Sequence, residues 1–138
     1  MRCEHDREKS RCRDCGGGSF CPHQIIRGTC SQCEPEKVFV RYQKQAEKRG
    51  LRFELSLEQF KQIVFQRCAL CGDYGSPRGI DRRDSSRGYE IGNVQPCCGI
   101  CNRLKSDLQE HQFIGHILKI VRHQEKLKRD KVAEVKVA

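Results

Sequence analysis

Two stretches of the chain carry apolar side chains at helical spacing, one on each side of a short alternating segment. The first predicts a helix over residues 38–49, with Gly50 as its C-terminal stop. The second predicts a helix over residues 56–67, which a capping box between Ser56 and Gln59 opens. These apolar residues are predicted to form the core, because aliphatic and aromatic side chains at such positions are usually buried.

The middle of the chain is predicted to be mostly extended. Residues 51–55 alternate apolar and polar side chains, like a short strand or an extended linker. Residues 77–79 lead into a strand that carries Ile80 and Asp81, residues 84–88 predict a turn, and residues 89–94 predict the return strand. A helix is then predicted to start at residue 102.

A long apolar stripe predicts the closing helix of the domain. It begins at a capping-box pattern in residues 107–110 and continues to about residue 123. Residues 124–138 are predicted to be a basic tail, and the lysine-rich residues 126–136 within it are predicted to fray. No stretch approaches the ~18 consecutive apolar residues of a membrane span. Apolar residues make up 36% of the sequence, below the ~45–50% of an average domain, so bound metal is expected to supply much of the stability.

Two Cys-x2-Cys pairs bracket the extended segment. Cys68 and Cys71 precede it, and Cys98 and Cys101 follow it. Paired cysteines of this kind are typical of a structural zinc site with four thiolate ligands. The zinc ion is therefore predicted to hold together the two ends of a polar segment that is rich in aspartate, asparagine and arginine.

The first 33 residues repeat with a period of 18. Each unit has the form Cys-x-His-x6-Cys-x2-Cys, and the ligands are Cys3, His5, Cys12 and Cys15 in the first unit and Cys21, His23, Cys30 and Cys33 in the second. Neither unit has enough apolar residues for a core, so each is predicted to fold only with metal. Together with the four-cysteine site, these two zinc knuckles predict three structural zinc ions.

The cysteine and charge counts favour a reducing compartment and a polyanionic partner. Of the eleven cysteines, Cys97 is left unassigned, and its alternative pairing with Cys101 has the less usual x3 spacing. The N-terminus has no apolar leader, which argues against export and predicts an intracellular, reducing location such as the cytoplasm or nucleus. The formal charge of +9 falls to +5 when zinc sites with net charges of −2, −1 and −1 form, and this balance favours nucleic acid as a partner.

Asp81 and Asn102 are the candidate ligands of a second kind of metal. A strand, loop, strand and helix pinned by zinc at both ends would bring the Asp81 carboxylate near the Asn102 amide oxygen. Both groups are hard oxygen donors, which suit Mg²⁺ or Mn²⁺ rather than zinc.

The motif that contains these residues resembles the HNH, or ββα-metal, nucleases. It consists of Cys-x2-Cys-Gly, Ile-Asp-Arg, Gly-Tyr, Asn-Val and Cys-x2-Cys-Asn-x2-Lys, and it is similar to the zinc-bearing subgroup of that family. The resemblance covers about residues 38–123. The N-terminal repeats resemble Cys/His-rich tandem repeats in proteins of large DNA viruses and of some algae and protists, and this resemblance adds a viral factory to the expected locations.

The resemblance implies a site that cleaves phosphodiester bonds. Asp81 and Asn102 would hold the catalytic divalent ion, which stabilises charge on the scissile phosphate and the leaving oxygen. Asn93 would hydrogen-bond across the loop, and Lys105, which closes the motif, is expected to be one of the catalytic residues. Arg82 stands where the family normally has a general-base histidine, and this is a departure from the family pattern.

Arginine is not a base at neutral pH, because its pKa exceeds ~12, but it can clamp a phosphate or stabilise transition-state charge. The resemblance then leaves several candidates for the base: His111 or His116 from the closing helix, Asp84, or metal-bound hydroxide. An exposed salt-bridge cluster of the same aspartates and arginines is the structural alternative.

The sequence as a whole predicts an α+β fold. A small zinc-stapled ββα-metal domain over residues 68–123 follows two zinc repeats over residues 1–33 and lead-in helices over residues 34–67, and residues 124–138 form the tail. The predicted function is a metal-dependent HNH-type endonuclease, with DNA as the favoured substrate. A non-catalytic zinc protein that binds nucleic acid and a zinc-stapled protein-interaction module are the alternatives, and the oligomeric state is left open.

Overall fold

The fold is a two-stranded antiparallel sheet framed by helices, and it confirms the predicted α+β class. The computed structural model describes residues 1–75 and 78–137, without the side chains of Arg78 and of residues 134–137. Ala138, the last residue of the predicted tail, lies outside the described residues. The elements are α1 (Pro35–Lys48), α2 (Leu57–Val64), β1 (Arg78–Arg82), β2 (Val94–Cys98), α3 (Gly99–Lys105) and α4 (Glu110–Val137).

Helix α1 has well-defined ends that the sequence explains. It begins at Pro35, earlier than the apolar spacing predicts. Proline is favoured in the first turn of a helix, because the N–H groups there have no partner within the helix and proline lacks one. Gly50 ends it as predicted, with a φ of +64°. The Gly50 N–H bonds to the Glu47 carbonyl and the Leu51 N–H to the Ala46 carbonyl, which is the Schellman pattern.

The predicted capping box opens α2. The Ser56 side chain accepts from the Gln59 N–H at 3.2 Å, and the Gln59 side chain accepts from the Ser56 N–H at 2.9 Å. The helix ends at Val64 rather than at residue 67. The alternating segment before it makes one parallel bridge, between Phe53 and Tyr89.

An apolar core joins α1 and α2 to one face of the sheet. Its buried members are Val38, Ala46, Leu55, Phe60, Val64, Ile80 and Tyr89. Phe60 is fully buried and contacts Phe39 and Tyr42, whose ring centroids lie 5.5 Å and 5.7 Å away. Aromatic pairs in these tilted and edge-on arrangements add to the stability that apolar burial supplies, so the two helices hold the sheet in a fixed orientation.

The return strand lies further along the chain than predicted. The prediction of a strand over residues 89–94 is wrong: β2 spans Val94–Cys98, and a turn precedes it. Gly92 has a φ of +89°, a conformation that interrupts an extended strand. Pairing with β1 therefore begins only after Gly92. The register sets Asp81 opposite Gln95 and Gly79 opposite Cys97. These four residues therefore share one face of the sheet, because cross-strand partners point to the same side.

Gly79 is required by a close contact with α1. A Cβ at this position would meet the Tyr42 hydroxyl. The same hydroxyl accepts a hydrogen bond from the Ile80 N–H at 3.1 Å. Because glycine has no side chain, α1 can lie directly against the first strand at this point.

The C-terminal segment is helical throughout its described length. The chain divides into the units Met1–Leu104 and Lys105–Ala138, and α4 makes up most of the second. The expectation of a frayed tail after residue 123 is wrong, because α4 continues to Val137. Beyond Gly115 this segment contains neither glycine nor proline and is rich in Lys, Glu and Arg, which favour helix. No helix in the described ranges has the length and apolar character needed to cross a membrane.

Candidate active site and zinc centres

The four cysteines that bracket the hairpin come together in one group. The Sγ atoms of Cys68, Cys71, Cys98 and Cys101 all lie within 4.8 Å of one another. Cys71 Sγ and Cys98 Sγ are 3.8 Å apart. Tetrahedral zinc with Zn–S bonds of about 2.3 Å places neighbouring sulfurs about 3.8 Å apart, so the geometry fits a structural zinc ion.

Each N-terminal repeat also gathers its four ligands. In the first, His5 Nδ1 lies 4.0, 3.6 and 3.5 Å from the sulfurs of Cys3, Cys12 and Cys15. In the second, His23 Nδ1 lies 3.9, 3.6 and 3.3 Å from the sulfurs of Cys21, Cys30 and Cys33. A tetrahedral zinc ion with one nitrogen and three sulfur ligands needs nitrogen–sulfur distances of about 3.6 Å. The described residues thus contain three Cys/His groups that can hold zinc.

Backbone hydrogen bonds prepare one cysteine of each group for metal. Burial raises the pKa of Cys68, but backbone hydrogen bonds from Cys98, Cys71 and Leu70 outweigh it and lower that pKa to about 6. In the same way, bonds from the Arg7 and His5 backbone lower the pKa of Cys3 to about 6 against the effect of burial. The thiolate is the form that binds zinc, so these turns favour the metal-binding state.

Asn93 holds the loop between the two strands. Its side chain is 1% exposed, and its Nδ2 donates to the carbonyl oxygens of Asp84 at 3.1 Å and Gly88 at 2.9 Å. Its Oδ1 accepts from the Asp84 N–H at 3.0 Å. One amide side chain therefore satisfies three backbone groups across the loop and fixes the start of β2 relative to the end of β1.

Arg82 is directed into the same loop. The side chain is buried, its Nη1 donates to the carbonyl oxygens of Ser85 at 2.7 Å and Arg87 at 2.8 Å, and its guanidinium lies 5.4 Å from the Tyr89 ring centroid. These contacts order the loop from inside, as Asn93 does from its end. Contact between Arg82 and a phosphate stays a prediction.

We expect Arg82→Gln to lower the free energy of unfolding by about 2–3 kcal/mol, because hydrogen bonds from a charged donor to two buried carbonyls are lost. Urea denaturation measures this change as a lower midpoint. Arg83→Gln is the matched control: Arg83 is exposed, so its replacement is expected to change stability by less than about 0.5 kcal/mol. Equal stability of both variants would show that Arg82 does not order the loop. Arg82→His is also expected to lose these loop contacts.

Asp81 lies on the face of the sheet that also carries Gly79, Gln95 and Cys97. The side chain is 5% exposed, and its Oδ2 accepts from Gln95 Nε2 at 3.1 Å. Gln95 is itself buried and is the cross-strand partner of Asp81. Sequence reasoning missed Gln95, since its role depends on a register that the strand prediction placed wrongly.

Asn102 lines a cavity that reaches the same face of the sheet. The cavity has a volume of about 140 Å³, and its walls come from the second zinc knuckle, α1, the sheet and α3: Ile25, Thr29, Ser31, Val38, Arg41, Tyr42, Gly79, Cys97, Gly99 and Asn102. Cys97 is the neighbour that Asp81 and Asn102 share. The register places Asp81 and Cys97 on one face of the sheet. Burial raises the pKa of the Cys97 thiol, and the Asp81 carboxylate raises it further.

The other candidate residues are less central. Lys105 ends α3 and is fully buried. Asp84 accepts hydrogen bonds from the Ser86 N–H at 2.9 Å and the Ser86 hydroxyl at 2.6 Å, which are turn contacts. His111 and His116 lie exposed on α4, in the second unit. Arg41 and Tyr42, which line the cavity beside Asn102, are site neighbours that the spacing of the motifs gave no sign of.

Comparison with known proteins supports the HNH-like fold. No family model matches the chain. Among solved structures, the rare-cutting HNH restriction endonuclease PacI is similar, with a TM-score of 0.50 and 18% sequence identity over 91% of this chain and 98% of the PacI chain. At this identity the likeness establishes the fold: a small α+β domain with a two-stranded sheet and three Cys/His groups, built like an HNH nuclease.

A curated relative is found in a large virus. An uncharacterized protein of Acanthamoeba polyphaga mimivirus is 39% identical over 69 residues, which cover 48% of this chain. The match spans 13% of that protein's length. The likeness is therefore to one part of a much longer viral protein.

Proposed function

We propose that this protein is a metal-dependent HNH-type endonuclease that hydrolyses phosphodiester bonds in nucleic acid, with DNA as its substrate. The observation that supports this most directly is the Asp81 carboxylate, which Gln95 holds on the sheet face that also carries Cys97, and Cys97 lines the cavity together with Asn102. The HNH-like fold of the chain adds support, and so does PacI, a restriction endonuclease with a similar fold.

The donor set fits a hard divalent cation. Asp81 offers a carboxylate and Asn102 an amide oxygen, and Mg²⁺ and Mn²⁺ prefer such oxygens together with water. When bound, the ion supplies charge stabilisation at the phosphate and the leaving oxygen. Gln95 positions Asp81 for this role because its hydrogen bond fixes one oxygen of the carboxylate. The orientation of the whole carboxylate is thereby set relative to the strand.

The loop and the zinc site give the proposed active site its rigidity. Asn93 and Arg82 brace the loop that follows Asp81. The four-cysteine group joins the segment before β1 to the end of β2 and to α3, which also carries Asn102. Positions fixed in this way suit phosphate hydrolysis, in which catalysis depends on placing charge accurately. Because zinc binding needs reduced thiols, we propose that the protein acts in a reducing compartment.

The test is incubation of the zinc-loaded protein with supercoiled plasmid, with and without Mg²⁺ or Mn²⁺. We expect conversion to nicked or linear DNA only with the divalent ion. Binding of the plasmid without any cleavage, in either ion and at several pH values, would favour the alternative of a non-catalytic nucleic-acid-binding protein. Absence of both cleavage and binding would favour the protein-interaction module.

A further inference from the structure

We propose that a basic stripe on α1 binds the sugar–phosphate backbone of nucleic acid and guides it to the cavity at Asn102. The stripe consists of Lys37, Arg41, Lys44 and Lys48 and is called the α1 stripe below. This inference rests on the proposed function, because it names the surface on which the substrate of that site is held.

The spacing of the α1 stripe places its four cations on one face of a rigid helix. Positions i, i+4, i+7 and i+11 line up along an α-helix and span roughly 16 Å of its axis. The opposite face of α1 carries Val38, Tyr42 and Ala46 and packs in the core. The orientation of the stripe is therefore fixed by burial of the other face.

The stripe forms a groove that is open to a ligand. Its side chains line a surface groove of about 310 Å³ together with Val40 and Gln45. Lys44 and Lys48 are exposed and Arg41 is half-buried. Across the described ranges, acidic side chains form ion pairs with Lys37 but not with these three cations.

Two acids near the start of α1 already have ion-pair partners. Glu34 pairs with Lys37 at the start of the helix. Glu36 pairs with Lys61 of α2 at 2.8 Å, which lowers the pKa of Glu36 and keeps this carboxylate charged and directed away from the groove. Arg41, Lys44 and Lys48 thus offer positive charge that is not neutralised locally, and a polyanion is the complementary partner.

Arg41 connects the groove to the candidate active site. It lines both the surface groove and the cavity that Asn102, Cys97 and Tyr42 line. A phosphate bound at Arg41 would therefore lie beside the cavity that Asn102 lines. Successive phosphates of one strand are spaced about 3.4 Å along the axis of the duplex. A stripe of roughly 16 Å is therefore long enough to contact several phosphates.

Backbone binding of this kind depends on salt in a measurable way. Each phosphate that a cation neutralises adds about 0.9 to the magnitude of the slope of log K against log salt for duplex DNA. We expect the variant Arg41→Gln/Lys44→Gln/Lys48→Gln to lower that slope by about 2–3. The measurement is binding of a labelled random-sequence duplex to the zinc-loaded full chain without Mg²⁺ or Mn²⁺. The double variant Lys44→Gln/Lys48→Gln, which keeps the half-buried Arg41, should lower the slope by about 2.

The matched control removes the same charge from another helix. Lys119, Arg122 and Lys126 are exposed on α4, and their replacement by glutamine also lowers the net charge by three. An equal loss of slope in the control, or a change of less than about 1 in the triple α1 variant, overturns the proposal. Failure of the wild-type chain to bind duplex also overturns it.

The outcomes for the stripe and for the proposed function are separable. If the wild-type chain binds through the α1 stripe but never cuts, the endonuclease proposal fails while the stripe stands. If the wild-type chain cuts DNA and the α1 variants keep the full salt slope, the endonuclease stands while the stripe fails.

Discussion

Replacing Asp81 by asparagine or Asn102 by alanine is expected to remove divalent-dependent DNA cleavage, with a loss of at least ~100-fold in rate. Asp81→Asn keeps the size of the side chain and an oxygen that can accept from Gln95, so its effect reports the lost charge rather than a lost contact. Asn102 belongs to none of the three Cys/His groups. Both variants should therefore keep the zinc content and the thermal transition of the wild type.

The control for this experiment is a carboxylate on the same loop. Glu90 forms an ion pair with Arg87 that lies outside the cavity, so Glu90→Gln should leave cleavage within about threefold of wild type, as expected for a residue that does not touch the reacting atoms. Asp84→Asn tests one of the candidates for the general base, because it replaces the Asp84 carboxylate with an amide that cannot accept a proton at neutral pH. If Asp81→Asn and Asn102→Ala cut DNA as fast as the wild type, these residues do not form the site.

Removal of the four-cysteine zinc ion is expected to unfold the hairpin region. Structural zinc contributes ~10–16 kcal/mol in zinc-finger peptides, which is comparable to the ~5–15 kcal/mol by which whole domains are stable. Cys68→Ser should therefore abolish the cooperative thermal transition of this region and lower the zinc content from about three to about two per chain. Elemental analysis and thermal melts of reduced protein measure both effects.

Cys97→Ser is the matched control, since Cys97 is buried beside the site but belongs to none of the three groups. This variant should keep about three zinc ions per chain. A drop to two in Cys97→Ser, with three retained in Cys68→Ser, would mean that Cys97 replaces Cys68 as a ligand. A wild-type content near one would contradict the zinc assignment of both N-terminal repeats.

The packing of β1 against α1 explains why few substitutions are expected to be tolerated where Gly79 meets Tyr42. Gly79 leaves no room for a side chain against Tyr42, and Tyr42 in turn lines the cavity beside Asn102. Burial raises the pKa of Tyr42 to about 12, so its hydroxyl stays neutral and keeps its hydrogen bond from the Ile80 N–H. The first strand is therefore fixed to α1 one residue before Asp81.

Much of the architecture follows from the sequence because the signals are local. Ligand spacing in the two repeats and in the paired cysteines predicted the three groups that the structure brings together. The Ser56 and Gln59 capping box and the Gly50 stop were also predicted, since each depends on residues within one helical turn. The α+β class followed from the same local patterns and is confirmed.

Tertiary structure alone decided the features that depend on register and on distant contacts. The position of β2 selected Gln95 as the partner of Asp81, because a shift of register changes every cross-strand pair. The Arg82 side chain is buried and donates to carbonyl oxygens of its own loop. An arginine at this position could equally extend into solvent, so the residue type alone does not predict these contacts. The cavity beside Asn102 exists because the second zinc knuckle packs near α1 and the sheet, and that contact between segments far apart in sequence leaves no local pattern.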